Sequence, residues 1–119
     1  MERSYQRIIL VTDSSKNARA AGQTALDLAK QCSASVLIVD AVRRPSFVSS
    51  LLSSNATDVF DVVSNQKQES LDQSADLFRQ AGINVETRLL YGNSSEEVAR
   101  TASEENADLV VRYMKGLNS

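Results

Sequence analysis

The stretch "RIILVTDSSKNARAAGQTALDLAKQCSASVLIVDAV", residues 7–42, decides the fold. It begins with "IILVT" (8–12), an almost unbroken apolar run of the kind found where both faces of a strand are covered. From Ser15 to Cys32 the spacing turns helical, with Ala18, Ala21, Gly22, Ala25, Leu28, Ala29 and Cys32 along one side. Side chains that small let a helix lie close to a sheet. "VLIVDAV" (36–42) is a second buried strand, interrupted by Asp40. A strand, a helix and a strand with no hairpin between them predict a parallel pair joined by a right-handed crossover.

The alternation continues outward. Residues 43–57, "RRPSFVSSLLSSNAT", contain the only proline and five serines, which predicts a mobile connection with room for a short helical piece. Phe60, Val63, Leu71, Ala75, Phe78 and Ala81 predict a long helix from about Asp58, ended by Gly82. Lys67 interrupts its apolar stripe and is expected to lay its methylenes along the sheet with the ammonium in water. "INVETRLL" (83–90) alternates apolar and polar, as an edge strand does. Ser94 and Glu97 have capping-box spacing ahead of a short helix carrying Val98, Ala99 and Ala102. "DLVV" (108–111) is the last strand, followed by "RYMKGLNS".

The order β-α-β-α-β-α-β predicts one α/β domain over residues 1–119, an open, parallel, doubly wound (Rossmann-like) sheet with strand order 3-2-1-4. The winding reverses between strands 1 and 4, so a ligand crevice is expected at their carboxyl ends, with Asp13 at one lip and residues 112–116 at the other. Strand 4 is apolar on both faces, yet no further strand follows to cover its outer edge. Either a partner chain covers it or the natural protein continues past Ser119.

Composition narrows the chemistry. Charged residues are 24% of the chain with a net charge of −2 and both signs interspersed, so no nucleic-acid footprint is present. No apolar run approaches the length of a bilayer span, and "MERSYQR" does not resemble a secretion signal. The expected location is the cytoplasm, with no membrane partner. There is no histidine and only one cysteine, Cys32. Triads of the Ser-His-Asp or Cys-His type and an internal disulfide are therefore excluded within this chain, and no metal site is expected.

Each candidate side chain has two readings. Asp13 either contacts a ligand or charge-stabilises the first helix, whose N-terminus favours a negative neighbour. Ser14 and Ser15 are caps or ligands, and no base is available to make either a nucleophile. Arg43 and Arg44 are a phosphate-reaching pair or a solvated one. Asp40 lies near the open end of its strand, pairs with a neighbouring Arg or Lys, or serves as a ligand contact. Arg112 and Lys115 are surface charges or phosphate contacts, while Tyr113 packs in a core or interface or stacks on a base. Cys32 is buried filler.

Residues 7–42 together with "GINVETRLLYGNSSEEVARTASEENADLVV" (82–111) resemble the universal stress protein family. The similarity lies in strand 1 ending on Asp then Ser, the alanine-rich first helix, "GNSSEEV" before the third helix and "ADLVV" before strand 4. It implies the doubly wound fold, usually with a fifth strand that this chain lacks, and a homodimer or higher oligomer. Family members that bind nucleotide carry an acid ending strand 1, matched by Asp13, and a small residue ending strand 2, matched by Ala41. They also carry a loop G-x-x-G-x9-G-[ST] after strand 4. Here "YMKG" keeps the second glycine as Gly116 but puts Tyr113 at the first, and no distal G-[ST] occurs before Ser119. Ser14 also stands where binders commonly have glycine. A tyrosine Cβ substituent obstructs the approach of backbone N–H groups to phosphate oxygens. The resemblance implies a stress-response regulatory module that acts by dimerisation and partner contact, with nucleotide binding weak or absent and no dedicated enzyme activity. The alternative is an ATP- or AMP-binding switch, at most a slow ATPase, whose phosphate loop is completed by residues beyond 119 or by a second subunit.

Overall fold

The computed structural model describes residues 5–13, 18–43 and 55–112, the first four of the last span by backbone alone. The described elements are β1 (Arg7–Val11), α1 (Ala18–Cys32), β2 (Ser35–Val42), α2 (Asn55–Gln80), β3 (Val85–Tyr91), α3 (Ser94–Glu104) and β4 (Leu109–Arg112). All the strand pairings are parallel and the order is β3-β2-β1-β4, as the alternation predicts. The connection expected over 43–57 is shorter than that range, because α2 already begins at Asn55; residues 44–54 lie outside the described residues.

Burial explains why these segments pair as they do. Neighbours in a parallel register share a face, so Ile8 and Leu10 align with Val36 and Ile38 on one side of the sheet. They form one core with Ala21, Ala25 and Ala29 of α1 and Leu71, Ala75 and Phe78 of α2. Ile9 and Val11 align with Leu37 and Val39 on the other side and meet Leu90 and Val98 of α3. β1 and β2 are thus apolar on both faces because helices cover both. Alanine at 21, 25 and 29 sets the approach of α1. A Cβ at Gly22 would meet Leu10 Cδ2 at 4.0 Å, an ordinary van der Waals contact.

The helix ends have local causes. α1 stops where Ser33 adopts φ 54°, with the Ala34 N–H donating to Ala29 O. α2 stops at Gly82, φ 80°, where the Ile83 N–H donates back to Phe78 O at 3.0 Å. The cap of α3 sits one residue earlier than the spacing of Ser94 and Glu97 suggests. Asn93 Oδ1 accepts the Glu96 N–H at 3.2 Å, and an amide side chain preceding the helix serves the exposed donors as well as a serine does. α2 has 26 residues, or about 39 Å of helix, against about 23 Å for the 7-residue β3. Its first turns overhang the strand, which accounts for Val59 and Val62 remaining 61% and 53% exposed. Phe60 from that overhang meets the Tyr91 ring, centroids 5.8 Å apart.

Polar groups fasten the amino end of the sheet. Asp108 Oδ2 accepts the backbone N–H groups of Gln6 and Arg7 at 2.8 and 2.9 Å, and the Asp108 N–H donates to Arg7 O. Glu105, just past α3, joins Arg7 at 2.7 Å and Arg88 at 3.1 Å, tying that helix to β1 and β3. Hydrogen bonds from Arg7 and Arg88 hold the Glu105 carboxyl below its ordinary value, and those from Arg7 and Gln6 N–H do the same for Asp108.

Two predictions follow from packing and from these carboxylates. Ala25→Leu should destabilise the fold by about 1–3 kcal/mol in urea unfolding, because the extra Cγ and two Cδ atoms have no room between α1 and the sheet. Depressed native values mean that Glu105 and Asp108 stabilise the fold above about pH 4 and that this contribution is lost as the pH falls through the native values. Glu105→Gln should therefore flatten the acid limb of a plot of urea midpoint against pH between 3 and 6; an unchanged slope would show that the carboxylate contributes nothing there.

Candidate functional site

At the carboxyl end of the sheet the strands open into a crevice of about 190 Å³. Its lining includes Thr12 and Asp13 after β1, Asp40 and Ala41 near the end of β2, Lys67 of α2, Ser94 of α3 and Arg112 at the end of β4. This is the reversal point, where β1 is flanked by β2 on one side and β4 on the other and the crossover helices leave on opposite faces. The Thr12 N–H still donates to Val39 O at 2.9 Å, so strand order continues to the lip and carries Asp13 into position.

Asp40 occupies the α2 side of β2, in line with Val36 and Ile38, and its residue is only 4% exposed. Its carboxylate is satisfied from two directions. The Ala41 N–H donates to Oδ1 at 2.7 Å, and Lys67 Nζ lies 3.3 Å from Oδ1 and 3.2 Å from Oδ2. Burial pushes the Asp40 carboxyl above its ordinary value despite the opposing pull of the Lys67 ammonium and the Ala41 N–H, and the Asp13 carboxylate adds to the rise. The Lys67 ammonium is therefore paired with Asp40, not left to water as its place in an apolar stripe suggests. An interior carboxylate without a counter-charge is costly, and α2 passes close enough to supply one. An acid in an apolar strand and a base in an apolar helix stripe each call for a partner, but nothing in the sequence shows that these two meet.

Asp13 and Ala41 do come together in this crevice, Asp13 exposed and Ala41 half-buried. Arg112 lines the lip on β4, whereas Arg43 is exposed and does not line the crevice. Gly116, the third expected contact, lies outside the described residues, as do Ser14, Ser15, Arg44, Tyr113 and Lys115. Cys32 is half-buried against the α1 side of the core. Two wider hollows, about 590 Å³ between α1 and α2 and about 490 Å³ at the amino end of the sheet, contain neither Asp13 nor Ala41. Among the described residues no helix is long and apolar enough to cross a membrane.

An open parallel sheet covered by helices on both faces, with charged residues gathered at its reversal point, defines a doubly wound α/β domain of the ligand-crevice type. Residues 4–119 match the universal stress protein family, and the chain belongs to it. It is 26% identical over 115 residues to a universal stress protein of Methanocaldococcus jannaschii, covering 97% of this chain and 68% of that protein. Its fold is similar to the universal stress protein UspA from Lactobacillus plantarum, with a TM-score of 0.87 and 22% identity over 99% of this chain and 83% of that one. It is also similar, with a TM-score of 0.67 and 23% identity, to a universal stress protein solved in complex with cAMP, over 91% of this chain and 72% of that one.

Lys67→Met should destabilise the protein by about 1–3 kcal/mol at pH 7, less than a fully interior pair would lose, because the lysine side chain is 25% exposed. The loss should shrink on acidification. A raised folded-state value means that protonated Asp40 favours folding, an advantage fully present below the unfolded value of about 3.8 and lost as the pH rises through the folded value. Without Lys67 that folded value rises further. Urea midpoints of variant and wild type should therefore converge towards pH 4; a pH-independent gap would mean that packing, not charge, carries the effect.

Proposed function

We propose that this chain is a regulatory module of the stress response that acts as a dimer and through contact with a partner protein, with its crevice taking nucleotide only weakly. The observation that carries this reading is the make-up of the crevice. At about 190 Å³ it falls below the roughly 300 Å³ at which drug-sized ligand sites begin. Among the described residues it is lined by two carboxylates, Asp13 and Asp40, and two cations, Lys67 and Arg112, and Lys67 is engaged by Asp40. A triphosphate with several negative charges would enter a crevice where, among the described lining residues, carboxylates are as numerous as cations. The dimer draws support from β4, an edge strand among the described residues, on which Val110 is 37% exposed. Such an edge is a template for pairing with a second copy.

A second reading keeps the crevice as a nucleotide site for a ligand of low charge. It is favoured by Asp13 and Ala41 lining one crevice and by the solved family member that holds cAMP. Asp13 then accepts hydrogen bonds from the nucleoside, and Ala41 leaves room beside it.

Mg-ATP at 1 mM should raise the melting temperature by less than about 2 °C, as mass action gives for a dissociation constant near or above that concentration. A rise above about 5 °C would overturn the weak-binding reading. Light scattering at micromolar concentration should report a dimer, and Val110→Lys should weaken it at least tenfold. A monomer throughout that range would reject the dimer.

A further inference from the structure

We propose that the hollow between α1 and α2 binds a small amphipathic carboxylate, with the anionic head at Arg19 and the apolar tail between Leu26, Leu77 and Phe78. This site is independent of both readings of the crevice. Its volume of about 590 Å³ falls within the roughly 300–1,000 Å³ of small-molecule sites. Three elements wall the hollow, and polarity falls along all three in the same direction. On the floor, Thr12 stands at the carboxyl end of β1 and Leu10 further in. On α1, Arg19, Gly22 and Leu26 follow at i, i+3 and i+7 and share one side. On α2, Ser70, Ser74 and Leu77 follow at i, i+4 and i+7. Both helices lead from the carboxyl end of a parallel sheet back to its amino end. Thr12, Arg19 and Ser70 therefore gather at one end of the hollow, and Leu26, Leu77 and Phe78 at the other. Gly22, between the two ends, puts no side chain into the passage. A carboxylate suits the polar end, because a guanidinium offers paired N–H donors to its two oxygens. Among the described residues that line the hollow none is acidic, and Ser14 to Asn17, just ahead of α1, include no acid. An apolar chain suits the other end, where Leu77 is 62% exposed and Leu26 half-buried, since covering them removes apolar surface from water. Arg19 and Leu26 are two turns apart, about 10 Å, which is close to the extended length of an acid of about eight carbons.

Octanoate is the probe, with 1-octanol as its uncharged counterpart, each titrated into the intact nitrogen-15-labelled chain and followed by amide chemical shifts. Octanoate should bind with a dissociation constant below about 1 mM, a modest efficiency for a ligand of that size. The shifts should concentrate on residues 18–26 of α1 and 70–78 of α2. Arg19→Gln should weaken octanoate at least about threefold, within what an exposed ion pair contributes, and leave octanol within about twofold. Leu77→Gln should weaken both ligands at least about threefold. Both positions are exposed, so neither variant removes a core side chain. Gly22→Leu builds a side chain into the passage and should abolish binding of both, with a retained melting transition showing that the chain is folded. Octanoate affinity unchanged by Arg19→Gln, or reduced equally with that for octanol, would overturn the placement of the head. Shifts at Asp13, Ala41 and Lys67 in place of α1 and α2, or none with about 5 mM octanoate, would overturn the site. Shifts on the two helices that follow protein concentration without any probe would assign the hollow to contact between copies and overturn the ligand.

Discussion

The two-sided burial of β1 is the constraint on which the rest of this molecule depends. Ile8 and Leu10 face α1 and α2 while Ile9 and Val11 face α3, and none of the four is more than 8% exposed. A strand apolar on both faces stays in solution only between two covered sheet faces, which a right-handed crossover supplies in one direction and its reversal supplies in the other. Once α1 and α2 carry the chain away from β1 on one face, α3 must bring it back on the opposite face to deliver β4 to the free side of β1. That return creates the gap at the carboxyl ends of β1 and β4. The crevice follows from the topology, and the side chains only decide what it does.

The two ends of the sheet are treated differently by polar residues. At the amino end, Glu105 and Asp108 accept hydrogen bonds from arginines and from backbone N–H groups, and their carboxyls sit below the ordinary range. These are closed arrangements that stitch α3 and β4 onto β1. At the carboxyl end, Asp40 is driven the other way, above its ordinary value, because burial outweighs the pairing with Lys67. A group held at such a disadvantage is a poor choice for stability alone, since an apolar pair of similar volume is often no worse in the interior.

What the amino-acid sequence reveals divides along physical lines. Strand order was legible because apolar runs of about five residues separated by helical periods admit few parallel topologies, and "INVETRLL" identified the edge by its alternation. The small-residue face of α1 was legible for the same reason, with Ala21, Ala25 and Ala29 now buried against the sheet. Register between distant elements was not. The pairing of Lys67 with Asp40 depends on where a 26-residue helix crosses β2, and that of Glu105 with Arg7 on where α3 ends over β1. Sequence separation hides both. The Asn93 cap was displaced by one residue because Asn93 and Ser94 are both good caps, and only the backbone angles choose between them. Gly92, at φ 132° with Glu97 Cγ 3.3 Å from where its Cβ would stand, turns the chain so that Asn93 arrives first.

The crevice itself was legible as a place and not as a chemistry. Asp13 and Ala41 could be assigned to it because strand ends in a parallel sheet lie together whatever their side chains are. Charge is a different matter, since it is a sum over residues that converge from β1, β2, β4 and α2. Counting only strand ends gives one acid, Asp13, and one base, Arg112. Among the described residues, Asp40 on the inward face of β2 and Lys67 on α2 join them there, and that pair becomes visible only once the crossing of α2 over β2 is known.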